Sequence, residues 1–252
     1  MKRLLLTLVV SILFAALVQA DEKRTIDIPN DPVVTVKWFG QSFIYLTTST
    51  GVRIAIDPFD NKTSSYTLPE GEPVDVLLVS NEGSDHNNTD IFSGSPLIFR
   101  SGTGEGTNRG NGILFRGVSA FQDDENGRFK GRTTVFAFDL DDLRFVHLGA
   151  LGQTKLSSSQ LEQIGKVDVV FVPVGLGDFK KVVAQLKPRI IIPIHYKTPY
   201  TSASYYPLDE FIEGKKVVRS TNNVLKVHRD QIPAQQEVWI FNTPVPVPKK
   251  AK

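Results

Sequence analysis

Apolar and polar residues alternate over Val33–Trp38, and a largely apolar run follows over Ser42–Thr47; both patterns predict strands. A third strand is expected over Gly51–Ile56, after the turn Thr48-Ser49-Thr50. Val74–Val79 is mostly apolar and reads as a buried strand. Ser101–Gly112 is rich in glycine and reads as a loop, and Ile113–Val118 as a strand. Thr133–Asp139 and Leu143–His147 flank Leu140-Asp141-Asp142, the pattern of a hairpin. The second half differs. Ser157-Ser158-Ser159-Gln160, followed by Leu161, Ile164 and Gly165, predicts a capped helix with a glycine stop. Val167–Val174 and Arg189–Ile194 predict buried strands. Between them Phe179, Val182, Val183 and Leu186 recur at helical spacing ahead of Pro188. Meanders first and strand–helix–strand units later predict an α+β fold of sheets covered by helices, with no interdomain linker or repeat.

The N-terminus follows a different rule. Lys2 and Arg3 precede an apolar run from Leu4 to Val18, and Val18-Gln19-Ala20 is a small-residue cleavage site. Residues 1–20 therefore read as a secretory signal peptide cut after Ala20. The run is shorter than the ~20 residues of a spanning helix, which argues against an uncleaved anchor. The expected location is secreted or periplasmic, with no stable membrane anchor after cleavage. One domain is expected over residues 21–241. The tail, 242–252, alternates Pro and Val and ends in Lys-Lys-Ala-Lys, so an extended or disordered segment is expected.

Composition narrows the chemistry. The 252 residues include no cysteine, which excludes disulfides, thiolate zinc sites and a cysteine nucleophile. A net charge of +2 gives no reason to expect nucleic acid as a partner. Four histidines, His86, His147, His195 and His228, cap any histidine-rich metal site. Three polar clusters follow strand ends: Ser80–His86, with Asp85 next to His86; His147–Gly152; and Pro193-Ile194-His195-Tyr196. Loops at one sheet edge are where sites gather in such folds. An Asp beside a His after a strand is a modest metal or acid–base signal; each His alone reads as an ordinary hydrogen-bonded residue. That reading holds for His147, while His228 is expected at the surface. Tyr196, Tyr200, Tyr205 and Tyr206 either line a ligand rim or pack in loops. Gly102-x-Gly104-x-Gly106 does not match a phosphate-binding loop, and no G-x-S-x-G elbow supports a serine hydrolase.

Trp38-Phe39-Gly40-Gln41-Ser42-Phe43 and Ile56-Asp57-Pro58-Phe59 resemble the opening of metallo-β-lactamase-fold hydrolases. The subgroup resembled includes ascorbate-phosphate lactonases and N-acyl-phosphatidylethanolamine phospholipase D. Phe121–Gly131, His147–Gly152, Val167–Gly175, Leu186-Lys187-Pro188 and Pro193–Thr198 follow in that family's order and spacing. The resemblance implies a single-domain αββα sandwich with a dinuclear metal site, usually zinc, whose nucleophile is a hydroxide bridging the two metals.

It also implies which positions hold metal. The family's H-x-H-x-D-H stands here as Asn81-x-Gly83-x-Asp85-His86. The ligand His before an acidic pair is Gln122, before Asp123-Asp124, and the bridging Asp is Ala150. The His usual in the opening W-x-G-H is Gln41. The final ligand is present as His195. One metal position thus falls on Asn81, Gly83, Gln122 and Ala150, which offer poor ligands or none. The other keeps Asp85, His86 and His195. The expected cofactor is none, or one divalent metal with zinc first. The expected protein is a catalytically impaired homologue with a binding or accessory role and a small-molecule ligand in the vestigial site. The alternative is a mononuclear metal-dependent hydrolase of esters, lactones or phosphoesters, with Asp85, His86 and His195 as metal ligands and Asp85 and His86 also as catalytic groups.

Overall fold

The computed structural model describes residues 32–62 and 64–244. The export signal expected over 1–20 lies outside the described residues, as does the tail after residue 244. Strands follow in the order β1 (Val33–Trp38), β2 (Ile44–Thr47), β3 (Arg53–Ile56), β4 (Val76–Val79), β5 (Leu97–Arg100), β6 (Gly106–Gly110), β7 (Ile113–Phe121), β8 (Arg132–Leu140) and β9 (Leu143–His147). Helix α1 (Ser158–Ile164), β10 (Val169–Pro173), α2 (Lys180–Leu186) and β11 (Ile190–Ile194) come next. A short α3 (Asp209–Ile212), β12 (Val217–Arg219), β13 (Val224–His228) and β14 (Glu237–Ile240) end the described chain.

These strands build two sheets. One has the order β13-β1-β2-β3-β4-β5 and the other β12-β14-β11-β10-β9-β8-β7-β6. In β1, Val34, Val36 and Trp38 are buried while the alternate residues are only half-buried, the one-sided burial that the period-two pattern predicts. Every residue of β10 and β11 is buried, and the two pair in parallel near the middle of their sheet. Their continuous apolar runs follow from that burial. Val36, Trp38, Ile54 and Leu78 of the first sheet share one core with Phe136, Phe138, Phe145 and Phe171 of the second. Phe138 stacks on Phe145 and Phe145 on Phe171, at centroid spacings of 6.1 and 6.3 Å, tying β8, β9 and β10 together. On the other face of β3 and β4, Ala55 and Leu77 meet Phe39, Phe43, Phe59 and Tyr66 in a smaller aromatic cluster.

Both expected helices form. Ser157 caps α1 by accepting the Gln160 N–H, while the Gln160 side chain accepts the Ser157 N–H, a complete capping box. The helix stops at Gly165, and α1 packs on β7. Helix α2 buries Val182, Val183 and Leu186 and ends at Lys187, left-handed at φ +49°, just before Pro188. The glycine-rich segment 101–112 differs from the loop expected there. It contains β6, an edge strand paired antiparallel to β7. Backbone pairing needs no apolar side chain, so Gly106 and Gly110 hide a strand that pattern reading discards. Strands β5, β12, β13 and β14 and helix α3 are likewise not marked by the periodicity; each is only three to five residues long, too short for a pattern to repeat. Within each sheet the parallel pairing carries strand ends to the same side: β3 and β4 in the first, β9, β10 and β11 in the second. The polar clusters sit at those ends. No helix among the described residues is long and apolar enough to cross a membrane.

Candidate metal centre

Asp57 follows β3, Ser80 follows β4, His147 ends β9 and His195 follows β11. Gln41 and Ser42 sit in the turn between β1 and β2. All six side chains are fully buried at 0% exposure, and His86 is at 1%. Such a concentration of buried polar groups is rare unless they are mutually satisfied, and Asp57 is where most of them meet. Its carboxylate accepts the Ser80 backbone N–H at 2.7 Å and the Ser80 hydroxyl at 2.6 Å. His86 Nδ1 lies 2.9 Å from Asp57 Oδ2. His147 Nδ1 is 3.7 Å from the same oxygen. Asp57 reaches this position in a left-handed conformation, φ +52°. A non-glycine residue held there is strained, and such strain collects at functional sites.

The charges follow from this packing. Burial, the largest influence on Asp57, raises its pKa, but the charge and hydrogen bond of His86, with His147 and Ser80, outweigh burial and hold it low. For His86 burial lowers the pKa, and the Asp57 charge and hydrogen bond, with the Asp85 charge, turn the net direction upward. His147 is held below its ordinary value by burial, against the pull of Asp57. Its Nδ1 accepts the Gly149 N–H at 3.1 Å, so the ring proton belongs on Nε2, which donates to the Ser42 carbonyl at 3.1 Å. His147 is therefore a packed, neutral, hydrogen-bonded histidine.

His86 and His195 differ from it. With Nδ1 of His86 engaged by Asp57 and with the Ser42 hydroxyl at 3.2 Å, Nε2 faces Asp85, whose Oδ2 is 3.6 Å away. This is the outer-sphere pattern that orients a metal-ligating imidazole: a carboxylate on one nitrogen leaves the other free. His195 adopts φ +53°, and its backbone N–H donates to the Gln41 carbonyl at 2.8 Å. Neither of its ring nitrogens has any partner, although both are buried. Burial and the charge of His86 press its pKa well below the ordinary histidine value. Gly175 lets the two loops touch, because a Cβ there would run into the His195 carbonyl oxygen. The His195 and His86 rings are 5.3 Å apart.

Asp85, His86 and His195 each offer one ligand atom, and these atoms lie within 4.8 Å of one another. Two imidazoles and a carboxylate are a set that divalent ions accept, with positions left over. The unpartnered nitrogens of His195 are the observation that makes the fit specific: the neutral ring keeps one lone pair that no hydrogen bond of the protein uses. Asp85, 41% exposed at its side chain, is the one member that meets solvent.

The remaining positions singled out in the sequence are bonded elsewhere. Asn81 Nδ2 donates to the Arg132 carbonyl at 3.1 Å, and Gln122 Nε2 donates to the same carbonyl at 3.1 Å and to that of Lys130 at 2.8 Å. A Cβ on Gly83 would lie 2.7 Å from Asp85 Oδ1. Ala150 is buried, and its N–H donates to Thr133 Oγ1 at 3.3 Å. The four tyrosines divide. Tyr196 is buried, stacked on Trp38 at 5.2 Å, and Tyr200 packs edge-on to Tyr66. Tyr205 sets its ring against His195 at 4.6 Å, and Tyr206 is exposed. His228 is half-buried at the end of β13. Asp57, Ser42 and Ser80 fall within segments singled out in the sequence, but none is assigned a role there; their contacts with His86 and with one another show it.

A family model described as the beta-lactamase superfamily domain matches residues 35–195. A Pyrococcus horikoshii protein named a metal-dependent hydrolase is 26% identical over 195 residues, 66% of this chain and 86% of that one. A Thermoplasma acidophilum protein of the same description is 29% identical over 178 residues, 58% of this chain and 76% of its own. Among solved structures, a Thermotoga maritima protein of the metallo-β-lactamase superfamily is 28% identical, with a TM-score of 0.64 over 82% of this chain and 98% of that one. A Parabacteroides distasonis protein shares the fold alone, at 16% identity and a TM-score of 0.54 over 84% of this chain and 94% of that one. With the two facing sheets and the Asp85–His86–His195 group at their edge, these matches establish that the chain belongs to the β-lactamase superfamily and has the metallo-β-lactamase fold.

Proposed function

We propose that this protein is a one-metal hydrolase, in which Asp85, His86 and His195 hold a single divalent ion and the other half of the family's dinuclear site is gone. The observation that carries the reading is His195, an imidazole buried with both nitrogens unpartnered beside the free Nε2 of His86. Zinc is the ion that best matches two imidazoles and one carboxylate with open positions. Such an ion supplies Lewis acidity toward water and toward a carbonyl or phosphoryl oxygen. The chain's own residues do the positioning. Asp57 fixes the His86 ring and its tautomer through Nδ1, and Ser80 fixes Asp57. Asp85, next to solvent, is placed to meet the substrate side. Esters, lactones and phosphoesters are the substrate classes considered, and the hydrolase names of the Pyrococcus and Thermoplasma relatives agree in reaction type.

Loss of the second metal rests on chemistry. Alanine and glycine offer no ligand atom, and the Asn81 and Gln122 amides already donate to main-chain carbonyls. Those same bonds favour a second reading, a catalytically impaired homologue that binds a small molecule. Elemental analysis of protein purified without chelator separates the two. One zinc per chain, lost in His195→Ala, is expected; no retained metal turns the assignment to the binding protein, and two ions per chain overturn both. For export we infer cleavage after Ala20 from the N-terminal pattern, and the N-terminal residue of the protein recovered from the producing cell tests it.

A further inference from the structure

His195 is fully buried, yet its ring nitrogens have no partner, so an ion that binds there has first to reach the ring. Zinc bonds an imidazole nitrogen at about 2.0–2.1 Å, and a ring closed to solvent allows no such approach. The neighbours of His195 differ in their freedom to move aside. Gln41 is itself fully buried, and its carbonyl accepts the Trp38 indole N–H at 2.9 Å and the His195 N–H at 2.8 Å. The His86 ring, 5.3 Å away, is held by Asp57 at 2.9 Å. The Tyr205 ring stands edge-on to His195 at 4.6 Å and is only half-buried, so it has a side toward solvent. We propose that Tyr205 is a side-chain gate on the metal site: its ring turns off His195 to admit the ion, and the bond from its hydroxyl to Gln41 Oε1, 3.1 Å long, holds the gate shut.

The movement is confined to the side chain, because the main chain around it is pinned. The Tyr205 N–H donates to the Ala203 carbonyl at 3.0 Å. The Tyr206 N–H donates to the Gly175 carbonyl at 3.1 Å, and the Tyr206 carbonyl accepts the Lys197 N–H at 3.1 Å. A Cβ on Gly175 would stand 2.9 Å from the Tyr205 Cβ, so the two segments touch there. A phenol on a fixed main chain moves between staggered wells about Cα–Cβ, and here that turn breaks the bond to Gln41. Asp85 meets solvent, and its carboxylate lies within 4.8 Å of the ligand atom of His195. An ion therefore meets the Asp85 charge first and passes to the two imidazoles when the ring turns away. The ring closes again over the loaded site. A gate shut both before and after binding sets the rates of entry and exit and leaves the affinity to the three ligands.

The inference rests on the one-metal reading for the ion that enters, and the gate itself is tested without metal. Diethyl pyrocarbonate acylates accessible neutral imidazole, and peptide mass spectrometry assigns the product to each of the four histidines. A buried ring reacts only through local opening, so in chelated protein His195 is expected to react about tenfold faster or more in Tyr205→Ala than in wild type. Tyr205→Phe keeps the ring and loses the hydroxyl, and a several-fold faster reaction is expected. His147, equally buried, is expected to keep its rate, which separates a gate from a loosened fold. An unchanged His195 rate in Tyr205→Ala, or an equal rise at His147, overturns the inference. If Tyr205→Ala does not fold, Tyr205→Phe decides by the same two criteria. Stopped-flow mixing with zinc reads the other half. Association and dissociation are both expected to quicken in Tyr205→Ala with the affinity little changed; unchanged association, or a larger change in affinity than in rate, overturns the gate. If wild type binds no zinc, the one-metal reading falls, and the acylation rates of the metal-free protein still decide the role of Tyr205.

Discussion

The two halves of the site lie on loops at the edges of the two sheets, yet they satisfy their polar atoms in opposite ways. Around Asn81 and Gln122, amide donors end on the Arg132 and Lys130 carbonyls. Around His86 and His195, one imidazole is held through Nδ1 with Nε2 free, and the other has no partner. Closed polar networks stabilise a fold; open, preorganised ones wait for a ligand. The contrast teaches that two clusters of polar side chains can lie close together and still be satisfied independently, because each has its own support. The open half hangs on Asp57, and the closed half on the backbone of β8 and the loop before it.

The strongest way to break the contrast is Asp57→Ala. It strips the buried partner from His86 and the acceptor from Ser80. A loss of about 3–5 kcal/mol is expected, the range for breaking a buried charge pair by removing one partner. Urea unfolding in chelator measures it, and a loss below about 1 kcal/mol removes Asp57 from the centre of the argument.

His195→Ala should act differently. Zinc affinity is expected to fall by at least a hundredfold, while chelated protein changes little in stability, since the imbalance of an unpartnered buried ring disappears with the ring. Calorimetric titration with zinc, paired with thermal unfolding, reads both quantities. Equal losses in the two would make His195 a packing residue.

His147 provides a pH test on the closed, metal-free fold. Burial lowers its folded pKa, so below the unfolded value of about 6.5 the unfolded chain binds a proton that the folded chain refuses. Its contribution is therefore complete above that pH and is lost as pH falls, by up to about 1.4 kcal/mol per pH unit. The stability difference between wild type and His147→Gln, measured in chelator at pH 7.5 and 5.5, should shrink toward acid. A difference independent of pH contradicts the neutral, Nε2-protonated assignment.

The smallest effect is expected from the closed half. Gln122→Ala removes two half-exposed hydrogen bonds to carbonyls and should lower stability by about 1 kcal/mol, with unchanged zinc content and affinity. A measurable fall in zinc affinity would show that the two halves are coupled after all.

Much of this was legible from residue order. The alternation in Val33–Trp38, the capping box at Ser157 and Gln160, and the apolar runs of β10 and β11 are local signals, and each element forms where expected. Asp85, His86 and His195 could be named because they follow strands and fall into a known family order. The roles of Asp57 and Ser42 could not be read, because their significance lies in a partner 29 and 44 residues away. Strand β6 was hidden for a related reason: its glycines contribute backbone pairing and almost no side-chain pattern.

Residue order alone carried the fold class, the absence of any cysteine chemistry, and the identities of the residues where the family's metal ligands are expected. Side-chain chemistry alone decides that alanine and glycine cannot ligate. Only the tertiary structure decided that His147 is saturated by hydrogen bonds while His195 is not, although both are fully buried histidines at strand ends. The difference is one of available partners: Ser42 and Gly149 meet the first ring, and nothing in the protein meets the second. That is a property of how the two sheets face each other, and no local stretch of chain carries it.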